Sequence, residues 1–521
     1  MSIWRKKSLV DLLSQAENSQ MKRTLGVWSL IALGIGAIIG AGLFVRTAAA
    51  ASEAAGSGVT ISFVIAAIGC AFAGLCYAEF ASMIPISGSA YAYSFVTMGE
   101  LVAWIIGWAL IMEYALGAAT VSIAWSEYLN NLLGNAIPYE WCHSPFEKMY
   151  QVPSEIIAKI KALPGHWEGI GKGILSQAQY DNLPQSLASN VNITSGIINA
   201  PALIILLLLT MLLIRGTKES AIVNAIIVFV KVAIVLVFIF IGWQFIKPEN
   251  HTPYLIPEGT FGHDGFFKWG WGGVLGGAGI VFFAFIGFDA VSTTAQEAKN
   301  PKRDMPIGIL GSLAICTVLY ILFGHVLTGV AHWGEFATAG KEASVSYAIK
   351  NYMVGYEWLG TSVTLAILAG FSSVILVMLM GQSRVFFSMS QDGLIPSAFG
   401  KLHAKYQTPY IANWLLFAFV GAFAAFVPGS VAGDLTSFGT LFAFVLVCVG
   451  ILVMRKSNPD LKRPFKTPLV PLIPILGILV CSAMIISLDI ATLEAAILWL
   501  IIGLVIYFTY SRKNSHLHPK K

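Results

Sequence analysis

The chain has 521 residues, 56% of them hydrophobic and only 11% charged, with a mean hydropathy of +0.74. Soluble domains carry about 25% charge, so the composition excludes a soluble enzyme or binding module and indicates an all-α polytopic membrane protein. The 32 basic and 27 acidic residues leave a net charge of +5, but the basic residues lie in short loops, which is not the footprint of a nucleic-acid binder.

Residues 1–25 are polar and read as a cytoplasmic tail; with a first apolar run too long for an h-region, no cleavable signal peptide is expected. Twelve apolar spans follow, each near the ~20 residues a bilayer requires: 26–50, 59–84, 101–133, 197–214, 220–246, 271–297, 307–331, 357–391, 409–427, 432–454, 469–488 and 493–511. With the N-terminus inside, 22 of the 32 basic residues fall in inside segments and nine outside, with Lys231 left within a span. Both termini, including the tail 512–521, are therefore expected in the cytoplasm of a cell-membrane protein.

The first span contains IALGIGAIIGAGLFV at 31–45, with Gly34, Gly36, Gly40 and Gly42 inside nine residues. Glycine costs a helix about 1 kcal/mol against alanine, so this composition suits a helix that opens locally. Opening frees backbone groups that need partners in hydrocarbon. It also leaves a half-helix N-terminus suited to a carboxylate. The alternative is close helix packing through small residues such as Gly36 and Gly40. Glu113 lies mid-span in the third segment, where an acid meets a substrate cation or accepts bonds from neighbouring backbone. Residues 134–196 form the one long loop, on the outside. Ile156, Ile157 and Ile160 suggest a small amphipathic helix there, and Asn192-Ile193-Thr194 matches a glycosylation sequon, a triplet common by chance.

Lys231 sits in NAIIVFVKVAIVLVFIF of the fifth span, too deep to snorkel, and must face a partner, water or a site. It serves either as a proton-loading group or as a permanent cation tying spans together. Six glycines then crowd WGGVLGGAGIVFFAFIGFDA at 271–290 in the sixth span. Glycine-interrupted segments at matching positions of two halves point to a transporter of inverted repeats. An odd repeat of five spans forces opposite orientations, giving 26–246 and 271–454 as repeats and 469–511 as an addition. Asp289, just after the second break, either caps the inner half-helix or couples to Lys231. His325 reads as a packed polar residue. Glu79, Glu297 and Asp392 lie near span ends and are expected to face cytoplasmic water. Five of the six cysteines fall in apolar segments and only Cys142 in a polar loop, with no disulfide framework, metal spacing or cofactor motif visible.

Several of these stretches resemble a known family. GIGAIIGAGLFV resembles the first-helix signature of the amino acid–polyamine–organocation superfamily. FFAFIGFDAVSTTAQEAKNPKRDMPIGIL resembles its sixth-helix break, GQSRVFFSMSQDGLIP the end of its eighth helix, and RPFKTPLVPLIPILGIL the loop before the eleventh. With MEYALGAA and Lys231 these cover spans 1–11 and resemble most the bacterial branch of the cationic amino acid transporter family.

The resemblance implies a LeuT-like fold, a 5+5 inverted repeat with discontinuous helices 1 and 6 and two extra helices. Substrate would lie halfway across, between spans 1, 3, 6 and 8. The carboxylate would meet amides around Gly40, Ala41 and Gly42, near Ile38 and Ile39. The amino group would meet carbonyls of Phe283, Ala284 and Ile286, with Phe285 as a gate. Lys231 matches the lysine of proton-coupled members, and Glu113 an acid bordering the side-chain pocket. Ala41 departs from the hydroxyl residue often found there.

The expected activity is import of L-amino acids with a proton; exchange of one amino acid for another, and an amino-acid sensor without flux, are the alternatives. No pore lining or filter loop marks a channel, and no cluster of His, Asp or Cys marks a membrane enzyme. The sequence gives no oligomeric state.

Overall fold

Long apolar runs in this chain are bounded by glycine, proline and charge, and they form helices except where the chain opens at Ile39 and at Ile286–Gly287. A computed structural model describes residues 5–8, 25–84, 89–163, 173–215, 221–295, 298–337, 344–406 and 408–517. Most of the tail 1–25, Lys218, Glu297 and the last four residues lie outside these.

Among the described residues, seven helical segments are long and apolar enough to cross a membrane, and five shorter apolar helices of 10–17 residues accompany them. One of the seven, Gly42–Met83, runs for 42 residues, which as a single rod would be about 63 Å long, twice the ~30 Å hydrocarbon core. Gly56 resolves this: its φ of +61° ends one helix, and a new one begins at Val59.

The helices are labelled in chain order. Helix α1 is Val27–Ile38, α2 is 42–55, α3 is Val59–Met83, α4 is Ser89–Thr97 and α5 is Glu100–Leu132. In the loop 134–196 α6 is Ser154–Lys161; then α7 is Ala200–Arg215, α8 is Ala221–Gly242, α9 is Gly270–Val281 and α10 is Pro301–Val330. Helix α11 is Ser344–Tyr352, α12 is Glu357–Gln391, α13 is Tyr410–Phe426, α14 is Gly429–Ser457, α15 is Leu472–Ile486 and α16 is Ile490–Ile506.

Packing sorts the helices into two groups. Helices α1, α3, α9 and α10 pack on one another, as do α5, α7, α12 and α13. Helix α8 touches both groups through α1, α10 and α12, and α14 lies against α5 and α15. Helix α16 docks on α5 through a tryptophan ladder. Trp104 Nε1 donates to Gly503 O and Trp108 Nε1 to Trp499 O, each at 2.8 Å, with Trp108 and Trp499 stacked 4.6 Å apart.

The described part of the loop 134–196 carries more structure than one amphipathic helix. Helix α6 buries Ile156 and Ile160 as the pattern implies. A three-stranded antiparallel sheet accompanies it, β1 (Lys148–Gln151) between β2 (Ile174–Leu175) and β3 (Asn192–Ser195). Tyr150, Val152, Leu175, Leu183 and Val191 join the two isoleucines in a separate small core.

Two expectations about span ends are corrected. Glu79 does not face water: it is fully buried, accepts two 2.9 Å bonds from Arg455, lies 3.3 Å from Arg463 and caps the Thr467 amide. The chain after α14 folds back under α3 and carries these donors to it. Asp392 is held by Lys7 at 2.5 Å and by the Tyr91 hydroxyl at 2.7 Å, which ties the N-terminal segment to the end of α12.

Candidate functional site

Both glycine-rich stretches are broken helices. Helix α1 ends at Ile38; Ile39 is extended (φ −73°, ψ 106°), and the helix resumes at Ala41 as a wide turn over Gly42–Arg46. Helix α9 tightens over Phe282–Phe285, opens at Ile286 (ψ 134°) and Gly287 (φ +113°), and continues as a tight turn over Asp289–Thr294.

The two breaks face each other with approximate reciprocity. A Cβ on Gly42 would lie 2.2 Å from Ala284 Cα, and one on Gly287 would lie 2.8 Å from Ala37 O. Each break therefore carries a glycine because the other's backbone occupies the space a side chain would need. Below them, the entry to α1 pairs with the chain after the second break through Leu25 and Ala298.

Opening α1 leaves carbonyls without intrahelical donors, and named groups answer them. Ile39 N bonds Ile35 O. Lys231 Nζ donates to Gly36 O at 3.1 Å and to Ile39 O at 3.2 Å. The Lys231 side chain is buried and packs against Gly370 of α12, where a Cβ would meet its Cε at 2.7 Å. The ammonium thus sits at the negative end of a half-helix, where a cation is favoured, between the first, fifth and eighth spans.

The Tyr320 hydroxyl of α10 lies 3.0 Å from Ile38 O and 2.9 Å from Ala284 O, so one O–H proton serves a carbonyl from each break. Phe63 and Phe285 pack around its ring at 5.4 and 5.3 Å. Tyr320→Phe is expected to leave folding intact and raise KM for uptake several-fold, because a buried hydrogen bond contributes about 1 kcal/mol. An unchanged KM in proteoliposomes would remove Tyr320 from the site.

The remaining expected residues divide into two places. Ile38, Ile39, Gly40, Ala41 and Gly42 are buried at the first break, and Phe283, Ala284, Phe285 and Ile286 at the second. Gly40 faces Val374 of α12. Glu113 and Asp289 form their own cluster: their carboxyls face each other, Thr440 lies beside Glu113, and the Tyr114 hydroxyl donates to Asp289 at 2.9 Å. Neither Glu113 oxygen meets a fixed donor. A contact between two carboxyls becomes a hydrogen bond only when one holds a proton.

On the side of residues 134–196 a cavity of about 40 Å³ is lined by Ala41, Arg46, Glu53, Thr120, Glu127 and Glu147, among others. Arg46, deeply buried and lining this cavity, makes an ion pair with Asp434 of α14. Arg46, Asp434, Tyr114 and Tyr320 were not singled out from sequence. The signal available was a charge or hydroxyl at membrane depth; Arg46 and Asp434 sit close enough to span ends to read as ordinary, and Tyr114 and Tyr320 are single tyrosines in apolar runs. Among the described residues no group of three or more His, Cys, Asp or Glu is placed to hold a metal ion.

The model of the amino acid permease family matches residues 25–510. The chain is similar to the branched-chain amino acid permease BcaP of Bacillus subtilis (strain 168), 42% identical over 99% of both chains. It is 37% identical to the methylthioribose transporter of the same organism, again over 99% of both. It is 30% identical to the vacuolar cationic amino acid transporter 4 of Arabidopsis thaliana, over 88% of this chain and 68% of that one.

Proposed function

The chain belongs to the amino acid permease family, and we propose that it is a secondary transporter importing neutral L-amino acids with a proton by alternating access. The observation that carries this reading is the meeting of two broken helices, with Lys231 and Tyr320 satisfying the carbonyls of the first. A zwitterion fits such a place: the amides that open the helix at Ala41 and Gly42 are donors for a carboxylate, and the carbonyls near Phe283, Ala284 and Ile286 are acceptors for an ammonium.

A LeuT-like fold of twelve spans is supported by the way the helices group. The first and second spans pack with the sixth and seventh, the third and fourth with the eighth and ninth, each pair five spans apart. Rocking of one group against the other would expose the site to each side in turn. The long and shorter apolar helices together fall on the twelve expected spans. Placement in the cell membrane with both termini inside is part of this reading, and the excess of basic residues in the expected inside segments supports the orientation.

Neutral side chains are favoured by where Glu113 points. Its carboxyl faces Asp289 rather than the breaks, and the relative 42% identical to this chain is named for branched-chain substrates. Glu113→Gln is expected to impair proton-driven uptake of leucine at least as much as that of arginine; selective loss of arginine and lysine uptake would instead make Glu113 a cation-selecting group.

The test of the function as a whole is uptake into proteoliposomes of each of the amino acids, and of methylthioribose, with and without an inward proton gradient. Concentrative leucine uptake on the gradient supports the reading. Uptake only against an internal amino acid would make the protein an exchanger, binding without flux a sensor, and uptake of methylthioribose alone a carrier of that substrate.

A further inference from the structure

Helices α3 and α10 pack antiparallel: Gly324 faces Phe63 at one end, and Gly74 faces Leu310 and Leu313 towards the other. An open groove of about 510 Å³ runs between them. Its α3 wall is the stripe Val64, Ile68, Ala71 and Leu75, and its α10 wall the stripe Leu310, Ala314, Thr317 and Ile321. Both stripes follow the three-and-four spacing of one helix face. The groove is hollow because alanines stand between larger neighbours on each wall. Its lining is apolar, and the one hydroxyl in it, that of Thr317, is spent on Leu313 O at 2.8 Å. Val64 and Ile68 are 40% and 44% exposed, so the groove opens on the surface of the bundle. In a multi-pass membrane protein an apolar surface on such long helices meets hydrocarbon.

The groove has a depth and a charged end. From Val64 to Leu75 a helix rises about 16 Å, about half of the ~30 Å hydrocarbon core, which is the depth of one leaflet. Beyond Leu75 the α3 stripe continues to Glu79 and Ser82, and the segment before α15 is bonded along it. Thr467 Oγ1 donates to Leu75 O at 3.1 Å, the Thr467 amide to Glu79 at 2.7 Å and the Phe465 amide to Ser82 Oγ at 3.3 Å. Lys466 stands between Phe465 and Thr467 and is exposed. Beyond Leu310 the α10 stripe continues to Ile307 and Arg303, and Arg303 is exposed too. Both walls therefore lead to a cation at the same end of the groove. The neighbouring carboxylates are engaged, Glu79 by Arg455 and Arg463 and Asp304 by the Asn300 amide at 3.2 Å. Among the described residues neither Arg303 nor Lys466 makes an ion pair.

We propose that this groove binds an anionic phospholipid, with one acyl chain lying between α3 and α10 and the phosphate held by Arg303 and Lys466. Only such a molecule matches both halves of the arrangement. A free phosphate leaves the apolar walls bare, and a neutral lipid leaves the two cations unmatched. Arginine offers phosphate paired N–H donors and lysine a point charge, and basic sites between spans are a recurrent place for acidic headgroups. Bound in this way, the lipid ties the start of α10 to the segment before α15. The proposal rests on the placement of the chain in a membrane and on nothing concerning substrate or proton.

The test reads lipid retention rather than transport, so its failure leaves the transport reading untouched. Purified full-length protein in a neutral detergent is given equal amounts of phosphatidylglycerol and phosphatidylcholine with identical chains, and the lipids it retains are counted by native mass spectrometry. The wild type is expected to keep one phosphatidylglycerol with a preference of about tenfold or more, as two cations at one anionic headgroup imply. Arg303→Gln combined with Lys466→Gln should remove the preference, and because both side chains are exposed the fold should not change. Ala71→Phe fills the groove and should lose the bound lipid altogether. Lys401→Gln combined with Lys405→Gln, exposed cations between α12 and α13, should behave as the wild type. Equal retention of the two lipids by the wild type overturns the proposal. So does a preference that survives Arg303→Gln with Lys466→Gln, or one that falls equally with Lys401→Gln and Lys405→Gln; these outcomes decide the matter even if Ala71→Phe fails to fold. A preference kept by folded Ala71→Phe overturns the groove as the site, and a lipid-free dimer that Ala71→Phe dissociates gives the groove to a second copy of the chain instead.

Discussion

Gly42→Ala is expected to reduce uptake to background while the protein still inserts and folds. The added methyl would lie 2.2 Å from Ala284 Cα and 2.7 Å from Ala284 N, backbone atoms that no rotamer change can move aside. Relief therefore requires the two breaks to separate. Separation would pull the Ala41–Gly42 amides from the Ala284 carbonyl, so one substrate could no longer engage both. The effect should be graded by what each glycine faces. At Gly40 the methyl would meet Val374 Cγ2 at 3.2 Å, a side chain that can shift, so Gly40→Ala should lose activity only partly. At Gly26 nothing lies within 4 Å, and Gly26→Ala should transport normally. Competition against labelled leucine in proteoliposomes measures all three, with amino acid methyl esters expected to fail as competitors. Normal uptake by Gly42→Ala would sink the assignment of this break to the substrate.

The chain's helices and its two breaks were legible because their cause is local. Four glycines in nine residues suit either close packing or an opening, and a second cluster five spans later points to the opening. Lys231 was legible for a similar reason: one cation inside a long apolar run has to have a partner. What sequence reasoning missed depends on residues far apart in the chain. Arg46 and Asp434 are 388 positions apart, and each alone looks like an ordinary span end. Tyr320 is a tyrosine among aliphatics until α1 and α9 are both broken beside it. Glu79 was taken to face water because nothing in LKRPFKTP shows that this loop turns back under α3. The outer sheet was missed because its strands have only two to four residues each, and β1 pairs with β3 across the small core that holds them.

Lys231→Met should abolish proton-driven accumulation while leaving measurable substrate binding. Methionine keeps the length and volume that fit against Gly370 but removes both charge and donors. Gly36 O and Ile39 O then lose their partner in a buried place, and an unsatisfied buried acceptor costs about 1–3 kcal/mol. The half-helix also loses the cation at its negative end, an interaction of up to ~2 kcal/mol in buried geometry. The spans do not depend on this contact alone, since α8 packs on α1, α10 and α12 over its length, so the fold should survive. On the proposed mechanism, what is lost is a tie that responds to protons. With Lys231 charged, α8 grips the end of α1 and the first group of helices is held against the second. Without the charge, the grip weakens and the groups can move past each other. A carrier that has lost this dependence can still bind and equilibrate its substrate, but it has no means to concentrate it. Three measurements follow from one preparation. Wild-type uptake should proceed without sodium and rise with an inward proton gradient. Lys231→Met should bind leucine in the same vesicles yet reach only the external concentration. If a sodium gradient alone drives accumulation, or if Lys231→Met still concentrates leucine on a proton gradient, then Lys231 only braces the first break, and the proton must be carried elsewhere, with the facing carboxyls of Glu113 and Asp289 the next place to test.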